Sequence, residues 1–213
     1  MKNISLKKLL MLALLIRVAV PFVNAQVAHV GDILCTTGVY VSPAEYETSG
    51  LEALGVIFYV DETGQHGWAV ALEDAGSFDW ASNSWDTPLP NFTSIRAAIY
   101  DLNGLFNTQE VLTYGANNNY SFPAFEALEV VSGWYLPAIG QLNYLYGNIV
   151  EVNTGLVAAG GTTFDMTGGW KYWSSTELSG SYAWYLTSSG QLYWNSKYYH
   201  DNTYGRVRGA RNF

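Results

Sequence analysis

Hydrophobic positions follow three different rhythms along this chain. Between residues 26 and 75 they come in short β-prone runs: Asp32-Ile33-Leu34-Cys35, Val39-Tyr40-Val41 and, strongest, Leu54-Gly55-Val56-Ile57-Phe58-Tyr59-Val60. Asp61-Glu62-Thr63-Gly64 supplies a turn and Trp68-Ala69-Val70-Ala71-Leu72 returns, so the two longer runs predict an antiparallel hairpin. Their apolar residues are continuous rather than alternating, which predicts a sheet covered on both faces. Glu73-Asp74 ends the return strand. Adjacent strand residues point to opposite faces, so the two carboxylates do not converge on one atom, and a solvated strand end is expected.

Residues 75 to 93 carry turn chemistry, including Pro88 and Pro90, with Trp80 and Trp85 expected as lids over the core. Between residues 94 and 160 the apolar spacing turns helical. Ile95, Ala98, Ile99 and Leu102 share a face that Asn103-Gly104 should stop, and Asn107-Thr108-Gln109-Glu110 reads as a capping box opening a short helix through Leu112. Pro123 and Pro137 suit helix starts. Ala124, Ala127, Leu128 and Val131 form one predicted stripe, and Ile139, Leu142, Leu145 and Tyr146 another. A third, Val152, Leu156 and Ala159, ends at Gly160-Gly161.

The third rhythm is β-like and aromatic, from residue 172 to 213. Tyr172-Trp173-Ser174-Ser175-Thr176-Glu177 leads into Ala183-Trp184-Tyr185-Leu186-Thr187, a Ser-Ser-Gly turn and Leu192-Tyr193-Trp194-Asn195-Ser196. Strand alternation places Trp184 and Leu186 on one face, expected inward, and Ala183, Tyr185 and Thr187 on the other. The run Tyr198-Tyr199-His200-Asp201-Asn202-Thr203-Tyr204 follows, and Arg206 and Arg208 should share a face, either pairing with carboxylates near Glu177 and so holding the loops or touching a ligand. Tyrosine contributes contact area at low entropic cost and Ser and Asn adaptable hydrogen bonds, a composition suited to recognition. The candidate ligand-binding residues are therefore Tyr182, Tyr185, Tyr193, Trp194, Asn195, Ser196, Tyr198, Tyr199, His200, Asn202 and Tyr204.

The first 25 residues read as a secretory leader. Lys2, Lys7 and Lys8 precede an apolar run from Leu9 to Ile16, and Val23-Asn24-Ala25 is a small-residue cleavage site. Removing the leader's three lysines and Arg17 leaves six basic residues against eighteen acidic ones, a net charge of −12 for residues 26–213. Such a surface should repel nucleic acid and anionic lipid, and no later segment is apolar for long enough to span a bilayer. The single cysteine, Cys35, permits no intrachain disulfide and is expected as a buried small hydrophobe.

Catalytic chemistry finds no foothold in the pattern. His29, His66 and His200 lie in unrelated contexts without metal-ligand spacing, and no nucleophile elbow or phosphate-cradling glycine loop follows a strand. No enzyme activity and no cofactor are expected.

Two elements resemble a known family. Gly133-Trp134-Tyr135-Leu136-Pro137-Ala138-Ile139-Gly140-Gln141-Leu142 is similar to its G-W-x-L-P-x-x-x-E/Q-L element, and Tyr172 to Glu177 to its Y-W-S-S-T-E element. Ala183-Trp184-Tyr185 and Arg206-Val207-Arg208 resemble its A-W strand and R-x-V-R ending. The family is domain-of-unknown-function family 1566, the Lcl C-terminal domain, found in bacterial exported and surface proteins. More weakly, Gly64 to Asp74 and Asp101-Leu102-Asn103-Gly104 resemble the N-terminal half of similar gut-Bacteroidetes proteins. The resemblance implies an α+β, C-type lectin-like fold with short helices on small antiparallel sheets. The calcium-binding triplet of sugar-binding lectins is missing, and Trp194-Asn195-Ser196 only echoes their second element, so calcium-dependent sugar binding is not expected. Proteins diversified by retroelement mutagenesis use this fold too, and Tyr193, Trp194, Ser196, Tyr198, Tyr199, His200, Asn202 and Tyr204 resemble their variable positions. An ordinary aromatic-rich loop contains the same residues.

The expectation is thus a leader over residues 1–25 and one domain over 26–213, with N-terminal strands (26–75), a helical middle (94–160) and a C-terminal recognition hairpin with loops (172–213). Its function is expected to be exported, adhesin-like binding of a protein or glycan. The alternative is a structural subunit of a surface fibre or pilus-like assembly, which predicts an exposed edge strand near the N-terminus.

Overall fold

The computed structural model describes residues 27–198 and 205–213; the leader expected over residues 1–25 lies outside them. The chain begins β1 (Ile33–Cys35), β2 (Tyr40–Val41), α1 (Pro43–Ser49), β3 (Ala53–Val60), β4 (Gly67–Ala71) and β5 (Gly76–Phe78). Its helical middle comprises α2 (Ile95–Ala98), α3 (Gly104–Asn118), α4 (Pro123–Glu126), a 3-10 turn at Val130–Ser132, α5 (Ile139–Gly147) and α6 (Ile149–Ala158). It ends with β6 (Lys171–Ser179), β7 (Tyr182–Thr187), β8 (Leu192–Ser196), β9 (Gly205–Val207) and β10 (Ala210–Asn212). This is an α+β chain, as its alternating rhythms predict.

The strands form two five-stranded sheets, β10-β4-β3-β1-β2 and β5-β9-β6-β7-β8. All pairings in the first are antiparallel; in the second, β6 and β9 run parallel. The expected hairpin is present, β3 pairing β4 with Val56 opposite Val70. Its continuous apolar run has the predicted consequence: Val56 and Phe58 enter the main core, while Ile57 joins Leu34, Tyr40 and Ala69 in a smaller cluster. Cys35 is fully buried in the main core.

The second sheet is also covered on both faces. Tyr172, Trp184 and Leu186 face the main core with Ile139, Leu142 and Leu145 of α5 and Val152 and Leu156 of α6. Trp173, Ala183 and Val207 face a second cluster with Val111 of α3 and Phe122, Ala124 and Phe125 around α4. Trp184 is therefore inward, as alternation along β7 requires. Trp80 is no lid: it is fully buried in that second cluster, edge-on to Phe125 at 4.8 Å, and its indole N–H donates to the Ser174 carbonyl at 2.8 Å. Trp85 is the partial cover, stacked on Tyr120 at 4.2 Å.

The chain changes sheets twice, between β4 and β5 and between β9 and β10, and one polar cluster sits at both crossings. Arg208, 2% exposed, donates from Nε to the Ala71 carbonyl at 2.8 Å and from one terminal nitrogen to the carbonyls of Leu72 and Thr162. Asp74 lies 3.6 Å from its other terminal nitrogen and accepts from Arg206 at 3.1 Å and from the Tyr172 hydroxyl at 3.3 Å. This corrects two expectations. The arginines pair with Asp74 rather than with carboxylates near Glu177, because β9 pairs with β5, which follows directly on the Asp74 segment. Asp74 is correspondingly no solvated strand end; burial pushes its carboxyl above the usual carboxylate range against the pull of the two guanidinium groups.

Three helix expectations also change. Asn103-Gly104 does not stop a helix; it starts the longest one among the described residues, with Asn103 as N-cap of α3. Asn107 lies inside that helix and is buried. The stripe from Ala124 to Val131 breaks after one turn, leaving Val131 wholly exposed. In addition, Ser42-Pro43-Ala44-Glu45 forms a capping box with proline in its first turn and nucleates α1.

Candidate functional site

The motif residues of the C-terminal half are framework. Every residue from Tyr172 to Glu177 is 3% exposed or less. Ser174 Oγ donates to the Trp184 carbonyl at 2.7 Å, and Ser175 N to the Pro137 carbonyl at 2.9 Å. Thr176 Oγ1 donates to Asp101 at 2.8 Å and accepts from Ile139 N at 2.8 Å, while Asn107 Nδ2 donates to both Asp101 and Ser175 Oγ. The Asp101-to-Gly104, Leu136-to-Gln141 and Ser174-to-Thr176 segments therefore meet in one buried polar network. A buried polar group without a partner costs about 1–3 kcal/mol, so the three segments require one another's identities.

Glu177 continues the network. Its carboxylate takes the Thr87 hydroxyl and the Thr87 N–H (3.3 Å) and lies against Lys197 Nζ, both side chains being fully buried. Lys197 Nζ also donates to the Trp85 carbonyl at 2.8 Å and sits 4.5 Å above the Trp80 ring. Burial pushes the Glu177 carboxyl up and the Lys197 ammonium down, each against the field of its partner. Sequence reasoning missed this pair because nothing in the run Trp194-Asn195-Ser196-Lys197 marks its lysine as inward.

The candidate recognition residues gather at the far edge of the second sheet. Among the described residues β8 pairs only with β7, with Tyr182 opposite Ser196, Trp184 opposite Trp194 and Tyr185 opposite Tyr193. Directly paired residues share a face, so the set divides between two. Tyr182, Trp194 and Ser196 lie on one, with Tyr182 edge-on to Trp194 at 5.0 Å. Tyr185, Tyr193 and Asn195 lie on the other, where Tyr185 packs against Trp173 at 5.9 Å and takes the Lys171 ammonium over its ring. Tyr182, Tyr193 and Trp194 are 39–50% exposed; Tyr185 is half-buried. Ser196 Oγ donates to the Tyr198 carbonyl at 2.6 Å. Tyr199, His200, Asn202 and Tyr204 lie outside the described residues. What the strands assemble is an aromatic edge presenting rings on both sides rather than one continuous patch.

Beside that edge, Leu192 and Tyr193 help to line an open groove of about 630 Å³ with Ile95, Ile99 and Asn143. Among the described residues no group of three or more His, Cys, Asp or Glu side chains could hold a metal ion, and no helix is long and apolar enough to cross a membrane.

No protein-family model and no curated protein matches this chain. Among solved structures, 87% of the chain superposes on a fimbrial protein from Bacteroides ovatus ATCC 8483 with a TM-score of 0.63 and 19% sequence identity. The chain covers 49% of that protein's chain, about half its length. At this identity the likeness establishes a shared fold: two sheets and short helices in the arrangement just described, common to this chain and part of a fimbrial protein.

Proposed function

We propose that this chain is an exported subunit of a bacterial surface fibre, built on a C-type lectin-like domain. The structural likeness to a fimbrial protein over 87% of the chain carries this reading above the adhesin-like one. One sheet edge supports it, though not the one near the N-terminus that this reading predicts from the sequence. The edge near the N-terminus is β2, only two residues long with Tyr40 buried, so little is offered there. The edge at β8 is five residues long, pairs no further strand among the described residues and carries two half-exposed aromatic side chains. An unpaired edge of this kind is a template for a strand of another chain, backbone hydrogen bonds giving affinity and alternate side chains giving specificity. The lectin-like assignment is supported by the interlocking of the family-like elements around Asp101, Gln141 and Thr176.

Immunogold electron microscopy of cells producing the epitope-tagged full chain tests the proposal. Label along or at the ends of filaments is expected. Label confined to a bare envelope on cells that carry filaments would overturn it. Trp194→Lys, which places a charge on the β8 edge, should abolish incorporation into filaments while leaving the protein exported.

A second reading keeps the β7–β8 edge as a ligand-binding surface, favoured by the exposure of Tyr182, Tyr193 and Trp194. It predicts that the Tyr193→Ala/Trp194→Ala double variant still enters filaments but loses adhesion to its target.

A further inference from the structure

A different part of the surface has the chemistry of a small-molecule site. Two adjoining hollows, of about 250 and 320 Å³, share Trp68 and Asn212. Together they reach the roughly 300–1,000 Å³ typical of ligand pockets. Trp68 is fixed by its neighbours: Tyr59 stacks on it at 4.3 Å, and Tyr144 and Phe58 pack against it at 5.9 and 6.0 Å. An aromatic ring held by three others loses little freedom when a ligand settles on it, so the contact area is obtained at low entropic cost.

The polar side of the first hollow is equally well positioned. Gln141, whose Oε1 is tied to the Ala138 N–H, donates from Nε2 to the Tyr135 hydroxyl at 3.1 Å. That hydroxyl donates to Asn212 Oδ1 at 2.7 Å. The chain of bonds leaves the Asn212 amide N–H groups available on the exposed end of β10. Asn103 and Gln109, both exposed, bring two more side-chain amides to the rim.

The lining selects a ligand class. Neither hollow is lined by a lysine or arginine, and burial pushes the Tyr135 hydroxyl of the first up to about 12. The second adds the Asp61 carboxylate, which disfavours an anion, and the His66 imidazole, both able to hydrogen-bond hydroxyl groups. The chain's excess of carboxylates is a further bias against anions. A purely apolar ligand would strand the amides. Amides both donate and accept, so they suit hydroxyl groups, while the Trp68 ring suits a flat C–H face. We propose that the Trp68–Asn212 hollow binds a neutral glycan, with a sugar ring on Trp68 and its hydroxyls on Asn212, Asn103 and Gln109. The site lies apart from the β7–β8 edge and does not depend on fibre assembly.

The test is an array of neutral gluco-, galacto-, manno- and N-acetylated oligosaccharides, followed by titration of the hits through tryptophan fluorescence. Saturable binding that persists in chelator is expected. Trp68→Ala should abolish it. Since Trp68 also packs against the core, Gln109→Ala provides a second check: affinity should fall about ten-fold with an unchanged melting temperature. Tyr193→Ala/Trp194→Ala should bind as the parent does. Absence of binding to every neutral glycan overturns the proposal. So does binding that survives Trp68→Ala and Gln109→Ala but is lost in the β8 double variant.

Discussion

Replacing Lys197 by Met isolates what a fully buried charge requires of its surroundings. Methionine preserves most of the lysine stem, so little cavity forms and the change is essentially electrostatic. It leaves the Glu177 carboxylate, itself fully buried, with only the Thr87 hydroxyl and N–H. Removing one partner of a buried pair costs about 3–5 kcal/mol. Neither side chain is exposed, so no reduction for solvent screening applies. In a domain of this size the melting temperature should fall by about 6–20 °C.

The pH dependence follows in sign. Burial already holds Glu177 above its ordinary 4.5, and Lys197 is the largest influence opposing that shift, so its loss pushes the carboxyl higher still. The folded state then binds the proton more tightly than the unfolded state does. The deficit is complete above the folded value and shrinks as pH falls through the folded value toward the unfolded one. Denaturant melts of parent and Lys197→Met at pH 8 and pH 4 should therefore differ less at pH 4. Adding Glu177→Gln, which keeps acceptors for Thr87 without a charge, should restore most of the loss at pH 8. A loss below about 1 kcal/mol, a pH-independent loss, or no rescue would refute the reasoning.

Three further outcomes follow from the same geometry, each measured by chemical denaturation. Arg208→Ala removes a buried guanidinium that donates to the Ala71, Leu72 and Thr162 carbonyls and leaves Asp74 with Arg206 as its one remaining guanidinium, so it should cost about 3–5 kcal/mol, whereas Arg211→Ala, partly exposed, should cost under about 1. Thr176→Val removes the acceptor for Ile139 N and the donor to Asp101 while keeping volume, and should cost about 2–4 kcal/mol. Gly140→Ala brings a methyl group to 2.5 Å from the Asp101 carbonyl oxygen and closer still to that of Ile99, so about 1–3 kcal/mol is lost despite alanine's better helix propensity.

Those residues also show which features the sequence could reveal. The β3–β4 hairpin was legible because a continuous apolar run, a Gly-containing turn and a second run specify pairing locally. Helices α5 and α6 were legible because their apolar spacing holds for two turns or more. Asn103-Gly104 misled because glycine serves two purposes. It looked like a helix terminator, but Gly104 is required where α3 begins against the Leu136 and Ala138 backbone, a contact no local pattern encodes. The partners of Asp74 and Lys197 are hidden from local pattern for a related reason: they lie 132–134 residues away in Arg206 and Arg208, or 20 residues away across the sheet in Glu177. The S-x-x-E signal at Ser42 was present and unused. For the candidate recognition residues, alternation located the β7–β8 hairpin and the inward Trp184, and the observed register of that hairpin sets Tyr182 and Trp194 on the face opposite Tyr185 and Tyr193.

The two candidate surfaces differ in how the fold supports them, and this bears on what each can do. Among the described residues β8 pairs with β7 alone, and its aromatics Tyr193 and Trp194 are half-exposed at the end of the sheet. Such a surface suits a partner that supplies the missing strand and orders the edge through backbone hydrogen bonds. The Trp68–Asn212 hollow is more firmly supported: three rings fix Trp68, and Tyr135 and Gln141 connect Asn212 to α5, the helix that also places Ile139 against Thr176. Preorganisation of that kind is what a small, weakly apolar ligand needs, because it has few contacts with which to offset ordering costs. An edge suited to strand pairing and a rigid hollow suited to a sugar can coexist in one chain, because a strand added at β8 would leave the hollow open to solvent.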